Sequence, residues 1–231
     1  MLVQRNRLKK RQPGEVFLIF LTSGSQGELS AISAVSPLLP FGKKNDRKTS
    51  RAELVQMVKK VLILHAWYNK PQDDWYPWLK MELERKGYEV NVPELPTMDF
   101  DLPSLEKLTQ FVKRLIDEET IVVGHSLGGV LALRLGEKIK YRKMILVAGW
   151  DYDDLYPQHR LFWKNKINHD LIKKNIEERI VIHSDNDLYL TAFQAENMSK
   201  RLEGKFILVE GAGHFTKKDG VAEIPQILDF L

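Results

Sequence analysis

Short apolar runs alternate with amphipathic stretches along the chain from Lys60 onward. Most of the runs have apolar residues at successive positions, a pattern typical of strands that are buried on both faces of a sheet. The sequence predicts six such strands, at residues 61–64, 88–92, 120–123, 144–147, 180–182 and 206–209.

Segments with helical periodicity lie between and after these strands. Asp74, Ser104 and Thr191 each precede one of the segments and are predicted as N-caps. The predicted helices are at residues 75–86, 105–116, 129–139, 171–178, 192–202 and 224–230. Strands that alternate with helices indicate a mostly parallel sheet with helices on both faces, and functional residues are then expected just after the carboxyl ends of the strands.

The first quarter of the chain has a different character. Residues 1–56 contain 10 Lys and Arg against 4 Asp and Glu, whereas residues 57–231 contain 25 against 27, together with all five Trp and all six His. Residues 22–52 are rich in Ser, Gly, Pro and Lys without helical or strand periodicity. We therefore expect a basic, disordered extension over 1–56 and a domain over 57–231, with Met57 as the hypothesised true start.

Composition excludes several classes of protein. With zero cysteines the chain has no disulfide, thiolate zinc site or cysteine nucleophile. The apolar run at residues 16–21 is too short for a membrane span or a signal peptide, so a soluble, cytoplasmic protein without a membrane partner is expected. A surplus of six positive charges over 56 residues is modest for nucleic-acid binding, and no such partner is expected.

The segment 124–129, GHSLGG, follows a predicted strand and precedes a predicted helix. It contains the G-x-S-x-G pattern of a nucleophile elbow, in which glycines make room for a sharp turn that presents the serine hydroxyl. Ser126 is therefore the candidate nucleophile.

A serine hydroxyl needs a base that is oriented by an acid, and in this architecture the chain order is Ser, acid, His. His214, in a glycine-rich loop after the last long strand, is the candidate base. His125 is expected to point away from the serine hydroxyl. The remaining histidines are predicted to be loop or surface residues without metal-ligand spacing: His65, His159, His169 and His183.

Two carboxylates follow the fifth predicted strand, and Asp187 is preferred over Asp185 because it lies further from the strand end and reaches the His214 loop more easily. A calcium loop is a poor alternative for this cluster, since Tyr189 and Leu190 stand where a ligand and a glycine are required. Backbone N–H groups of Leu127 and Trp67 are the predicted oxyanion donors.

The stretches VLILHAW, DDWYPWLKMELERKGYEVNVPELP, VVGHSLGG, HSDNDLYL and GAGHF resemble the small serine hydrolases of the α/β-hydrolase superfamily, the group of retinoblastoma-binding protein nine and the YdeN-type proteins. The resemblance covers residues 57–231 and implies an α/β-hydrolase fold with about six mostly parallel strands and a small cap or none. It implies the nucleophile, acid and base at Ser126, Asp187 and His214. Ala66 departs from the glycine that is usual in the oxyanion loop, and Leu188 and Thr191 replace prolines that are common near the acid.

The predicted function is that of a serine hydrolase, esterase-like, that cleaves an ester, amide or thioester of a small molecule through an acyl-enzyme. No cofactor and no metal are expected, and the protein is expected to be a monomer or small homo-oligomer. The alternative is a non-catalytic binding protein on a hydrolase scaffold. The aromatic stretch 150–170 is either a small cap that lines an acyl pocket or a surface loop with its own packing.

Overall fold

A computed structural model describes residues 59–152 and 155–231; the predicted extension over 1–56 lies outside the described residues. The strands are β1 (Lys60–Leu64), β2 (Glu89–Asn91), β3 (Ile121–His125), β4 (Tyr141–Val147), β5 (Ile176–Ser184) and β6 (Lys205–Val209). The α-helices are α1 (Tyr76–Arg85), α2 (Leu105–Val112), α3 (Leu127–Gly136), α4 (His169–Asn175) and α5 (Ala192–Arg201), and 3₁₀ turns span Pro157–Phe162, Lys217–Asp219 and Pro225–Phe230. In this part of the chain no helix is both long enough and apolar enough to cross a bilayer.

All six strands belong to one parallel sheet in the order β2-β1-β3-β4-β5-β6. The predicted α/β architecture is confirmed. The chain leaves β1 toward β2 on one side and returns to β3 on the other, so the direction of strand addition reverses between β1 and β3. A crevice forms at the carboxyl ends of two strands that are related in this way, and the loops at Ala66 and Ser126 meet there.

Alternate residues of each central strand face opposite layers of core, which explains the continuous apolar runs. Leu62 and Val122 face the layer that contains α2, α3, α4 and α5. Ile63 and Val123 face the layer that contains α1 and the C-terminal 3₁₀ turn, where Trp75 is fully buried. Helices on both faces therefore bury the central strands, whereas the edge strands β2 and β6 stay partly exposed.

The predicted fourth helix has the wrong end. Residues 176–178 belong to β5, since Ile176 pairs with Tyr141 and Glu178 with Lys143 of β4. The periodicity of residues 171–178 suits a helix, but pairing with β4 satisfies the backbone of these three residues in the sheet. The last predicted helix, at 224–230, is a 3₁₀ turn.

Two of the three predicted N-caps are confirmed. Ser104 Oγ accepts from Lys107 N–H, and Thr191 and Gln194 form a complete capping box at the start of α5. Asp74 is not a cap, because the residue before α1 is Trp75 and makes no side-chain cap bond. The Asp74 carboxylate instead binds Lys217 N–H (2.9 Å).

A buried arginine ties the segment after β4 to the body of the domain. Arg134 of α3 donates from Nε to the carbonyl of Phe162 (2.8 Å) and from its terminal nitrogens to the carbonyls of Asn165 and Lys166. Its charge is balanced by Glu137 at 3.0 Å. The segment is thus a small packed cap that an ion pair on α3 holds in place.

Helix α3 passes very close to the end of β1. A Cβ on Gly128 would lie 2.2 Å from the carbonyl oxygen of Leu64 and 2.6 Å from that of His65. Both atoms belong to the backbone of the sheet edge and cannot swing away as a side chain would. Only glycine lets the helix start at this height above the strands.

We expect Gly128→Ala to lower the free energy of unfolding by about 3 kcal/mol or more, since the added methyl overlaps fixed backbone atoms. Gly149→Ala is the matched control, because its Cβ would meet no atom nearer than 3.5 Å, and it should stay within about 1 kcal/mol of the wild type. Guanidinium denaturation measures both. Equal stabilities of the two variants would contradict the packing argument.

Candidate active site

The turn between β3 and α3 holds Ser126 in a conformation that L-residues rarely adopt. Its φ is 53° and its ψ is −121°, which costs about 1–3 kcal/mol. Ser126 N–H donates to Val147 O (2.9 Å), and Ser126 O accepts from Gly129 N–H (2.9 Å). These bonds fix a sharp turn that projects the hydroxyl above the strand ends.

The structure brings Ser126, His214 and Asp187 into one chain of hydrogen bonds. Ser126 Oγ lies 2.9 Å from His214 Nε2, and His214 Nδ1 lies 2.8 Å from Asp187 Oδ2. The Asp187 side chain is fully buried, whereas the imidazole is 14% exposed. With the Nδ1–H donated to the carboxylate, Nε2 keeps its lone pair for the proton of the serine hydroxyl.

The two carboxylates after β5 have different partners. Asp187 Oδ1 accepts from the N–H groups of Tyr189 (2.8 Å) and Leu190 (3.3 Å), which leaves Oδ2 for the imidazole. Asp185 Oδ1 accepts from Gly211 N–H (2.7 Å). Asp187 therefore faces the His214 imidazole, and Asp185 binds the backbone of the loop that carries His214.

Side chains near both ends of the His214 loop set its path. Asn186 Oδ1 accepts from Gly213 N–H (2.7 Å) and from Ser184 Oγ–H (2.7 Å). Asp219 Oδ2 accepts from His214 N–H (3.0 Å). The position of His214 is thus fixed both at its backbone, by Asp219, and at its ring, by Asp187.

Two backbone donors near the serine are free. Among the described residues, neither Leu127 N–H nor Trp67 N–H has a hydrogen-bond partner. Ala66 N–H is not available, because it donates to the Tyr76 hydroxyl (3.0 Å). The predicted donor pair therefore retains its capacity to bind an anionic oxygen.

The Tyr76 hydroxyl joins three loops. It accepts from Ala66 N–H in the loop after β1 and from Asn69 Nδ2 (3.2 Å), and it donates to His125 Nδ1 (2.6 Å). On its other side, His125 Nε2 donates to the carbonyl of His214 (2.9 Å). The loops that carry Ala66, Ser126 and His214 are connected through these two buried rings.

His125 is a neutral bridge. Burial, and then the neighbouring His214, lower the pKa of the His125 imidazole to about 3. Its ring is fully buried and bonded at both nitrogens, so it points away from the serine hydroxyl, as expected. Burial raises the pKa of the Tyr76 phenol, which keeps its proton in place for His125 Nδ1.

The prediction that the remaining histidines are loop or surface residues holds for His65, in the loop after β1, and is wrong for His183, which is buried in β5; His159 lies in a 3₁₀ turn. His65, His159 and His183 are buried, and burial lowers the pKa of each imidazole, that of His159 to about 4. His65 Nε2 accepts from Leu95 N–H (3.0 Å), and His183 Nε2 donates to Leu190 O (3.0 Å). These rings brace the loops after β1 and β5, a task that spacing along the chain does not reveal.

The segment after β4 packs against the loop after β1 that carries Trp67. The His159 ring lies 4.5 Å from the Trp67 ring, and Tyr156 lies 6.0 Å from Trp67 and 6.5 Å from Tyr189. Of the two interpretations of residues 150–170, the small cap is therefore the one supported by the described residues; Asp153 and Asp154 lie outside them.

Sequence reasoning missed Tyr76, Ser184, Asn186 and Asp219 as supports of the site. Tyr76 sits at an apolar position of an amphipathic helix and looks like an ordinary core residue. Its contact with His125 spans 49 residues. Ser184, Asn186 and Asp219 are polar residues close in sequence to the candidate acid or base, and this was the only signal that could have identified them.

Residues 61–231 match the model of a protein family described as serine hydrolase. The chain is 26% identical over 188 residues to YdeN of Bacillus subtilis (strain 168), an alignment covering 76% of this chain and 95% of YdeN. It is also 26% identical over 144 residues to the serine hydrolase RBBP9 of Rattus norvegicus, covering 61% of this chain and 77% of that protein. The crystal structure of the ydeN gene product has a TM-score of 0.68 at 25% identity, covering 75% of this chain and 96% of that one.

We expect Tyr76→Phe to lower the free energy of unfolding by about 1–3 kcal/mol, because it leaves the Ala66 N–H and His125 Nδ1 buried without a partner. Tyr88→Phe is the matched control, since its hydroxyl contacts the exposed Lys59 ammonium at 3.4 Å, and it should change stability by less than about 0.5 kcal/mol. Urea denaturation of the two variants checks this. A Tyr76→Phe protein as stable as the control would refute the bridging role.

Proposed function

The chain belongs to the serine hydrolase family and has the α/β-hydrolase fold, and from this membership we propose that it cleaves an ester, amide or thioester of a small molecule through an acyl-enzyme on Ser126. The observation that carries the proposal is the unbroken series of bonds from Ser126 Oγ through His214 to Asp187. Each group in it has the partner that its step requires.

In the acylation step, Ser126 Oγ attacks the substrate carbonyl while His214 Nε2 takes the hydroxyl proton. The imidazolium that forms is stabilised by the buried Asp187 carboxylate at 2.8 Å. The same Nε2–H then protonates the leaving alcohol or amine, so the carbonyl–heteroatom bond breaks with no net gain or loss of protons. Ester cleavage is preferred over amide cleavage, since an alkoxide is a better leaving group than the anion of an amine.

The carbonyl oxygen becomes an anion in the tetrahedral intermediate and needs fixed donors. The free N–H groups of Leu127 and Trp67 are suited to this role, because a donor aimed in advance needs no reorganisation as the charge develops. Ala66, which departs from the usual glycine, has its N–H occupied by Tyr76 and is left out of the proposed pair.

Deacylation repeats the same steps with water as the nucleophile. His214 Nε2 takes a proton from the water as it attacks the acyl carbonyl, and the proton returns to Ser126 Oγ as the acid product leaves. Every proton in the scheme moves between substrate, water, Ser126 and His214, so the proposal requires no cofactor.

We expect Ser126→Ala to abolish labelling by a fluorophosphonate probe and hydrolysis of a short p-nitrophenyl ester. Ser104→Ala is the control, since Ser104 caps α2 and its bonds go to Thr97 and Lys107, and it should label as the wild type does. Gel fluorescence and absorbance report the two readouts. A folded wild type that neither labels nor turns over would favour the non-catalytic alternative.

Two neighbouring carboxylates provide a test of the acid. We expect Asp187→Asn to lower kcat by about three to four orders of magnitude, because the amide no longer holds the imidazole in the required tautomer. Asp185→Asn keeps an acceptor oxygen for Gly211 N–H and should change kcat less than about tenfold. Steady-state kinetics distinguish the two, and a larger loss in Asp185→Asn would reverse the assignment.

A further inference from the structure

Several large, exposed apolar side chains lie in the loops after β1, β2, β4 and β5 or in the first turn of α5, at the same edge of the parallel sheet as Ser126. Leu188 is 91% exposed and Phe193 is 71% exposed. With four others they form what we call the apolar rim: Tyr68, Phe100, Tyr156, Leu188, Tyr189 and Phe193. Single exposed apolar residues are common on soluble proteins, but several together around a reactive group mark a binding surface.

Ring contacts connect the rim to the reactive groups. The Tyr189 ring lies 4.8 Å from the His214 ring, in edge contact. Tyr156 bridges from Tyr189 (6.5 Å) to Trp67 (6.0 Å), and Tyr68 lies 4.7 Å from Trp67. The aromatic part of the rim therefore runs from the base to the proposed oxyanion loop.

Backbone hydrogen bonds fix the turn that exposes the Leu188 side chain to solvent. The fully buried Asp187 carboxylate accepts from the N–H groups of Tyr189 and Leu190, which lie two and three residues further along the chain. This tight turn leaves Leu188 at its outer tip. The bond that positions the acid thus also fixes an apolar side chain beside the site.

Phe193 lies at the start of α5, directly after the turn at Asp187. Thr191 and Gln194 form a capping box, so α5 starts at a defined residue and Phe193 occupies its first turn. Asp151, whose side chain is 2% exposed, binds Arg201 at the end of the same helix through two bonds of 2.7 Å. Both ends of α5 are anchored, and the exposed ring is presented by a rigid helix.

We propose that the apolar rim binds a long apolar chain of the ester substrate, so that the enzyme prefers esters with extended aliphatic chains. This inference rests on the proposed function. A chain attached to a carbonyl at Ser126 has to cross this edge of the sheet, where aromatic rings extend from the His214 imidazole to Trp67. Every methylene that the rim removes from water favours binding, by about fourfold when burial is complete.

The experiment compares kcat/KM for two ester series below their micelle concentrations. One is p-nitrophenyl acetate, butyrate, octanoate and decanoate; the other is butyrate esters of methyl to octyl alcohols. Together they identify whether the acyl or the alcohol chain lies on the rim. The variants are Leu188→Ser and Phe193→Ser, with Met81→Ser on α1 as the control for loss of an exposed apolar side chain away from the rim.

For the wild type we expect kcat/KM to rise at least about tenfold from the shortest to the longest chain in one series, since partial burial of four or more methylenes yields this factor. Each rim variant should reduce that rise at least about threefold and leave the shortest ester within about twofold, and Met81→Ser should match the wild type.

A wild type that turns over esters with no gain from chain length, or rim variants that keep the full gain, would overturn the inference and leave the proposed function standing. If that enzyme also co-sediments with phosphatidylcholine vesicles through Leu188 and Phe193, the rim is a membrane contact instead. A folded protein that hydrolyses no ester of either series and does not label at Ser126 would overturn both proposals.

Discussion

The hydroxyl of Tyr76 is the contact on which the arrangement of the loops around Ser126 depends. It binds the loop after β1 through Ala66 N–H and the elbow through His125, whose second nitrogen binds the carbonyl of His214. These loops come from three different strands and carry the proposed oxyanion donor, nucleophile and base. A single buried, uncharged series of bonds therefore sets their separations, and because both rings are neutral it does not change with pH near neutrality.

Such a support is needed because the loops at this edge are strained. Seven non-glycine residues in the described part of the chain have positive φ, and six of them, all but Glu203, lie in loops that follow a strand: Tyr68, Asp74, Thr97, Ser126, Ala148 and Phe215. Each such backbone conformation costs about 1–3 kcal/mol, and it persists only where several surrounding contacts hold the residue in place. Three features provide these contacts: the close approach of α3 to β1 at Gly128, the Tyr76 bridge, and the carboxylates that bind the His214 loop.

The elements that sequence could predict are those with local signals. Apolar runs identified all six strands, and chain order placed Ser126, His214 and Asp187 in loops that the fold brings within hydrogen-bond distance. Long-range contacts could not be predicted. Pairing of Ile176 with Tyr141 overrides a helical pattern, and His65, His159 and His183 are buried by neighbours distant in sequence. The bridge from Tyr76 to His125 has no local signature, because a tyrosine on an amphipathic helix is usually core.

The turn after β5 explains why Asp187 rather than Asp185 faces the base. Three consecutive side chains there have separate partners on the next loop: Asp185 binds Gly211, Asn186 binds Gly213 and Asp187 binds the His214 imidazole. The bonds of Asp185 and Asn186 position the backbone of the His214 loop, and in this position Asp187 lies 2.8 Å from His214 Nδ1. Since the carboxylate is fully buried, its charge acts on the imidazole with little screening by water. The register of this pairing, more than the basicity of any one group, is what makes His214 Nε2 available to Ser126.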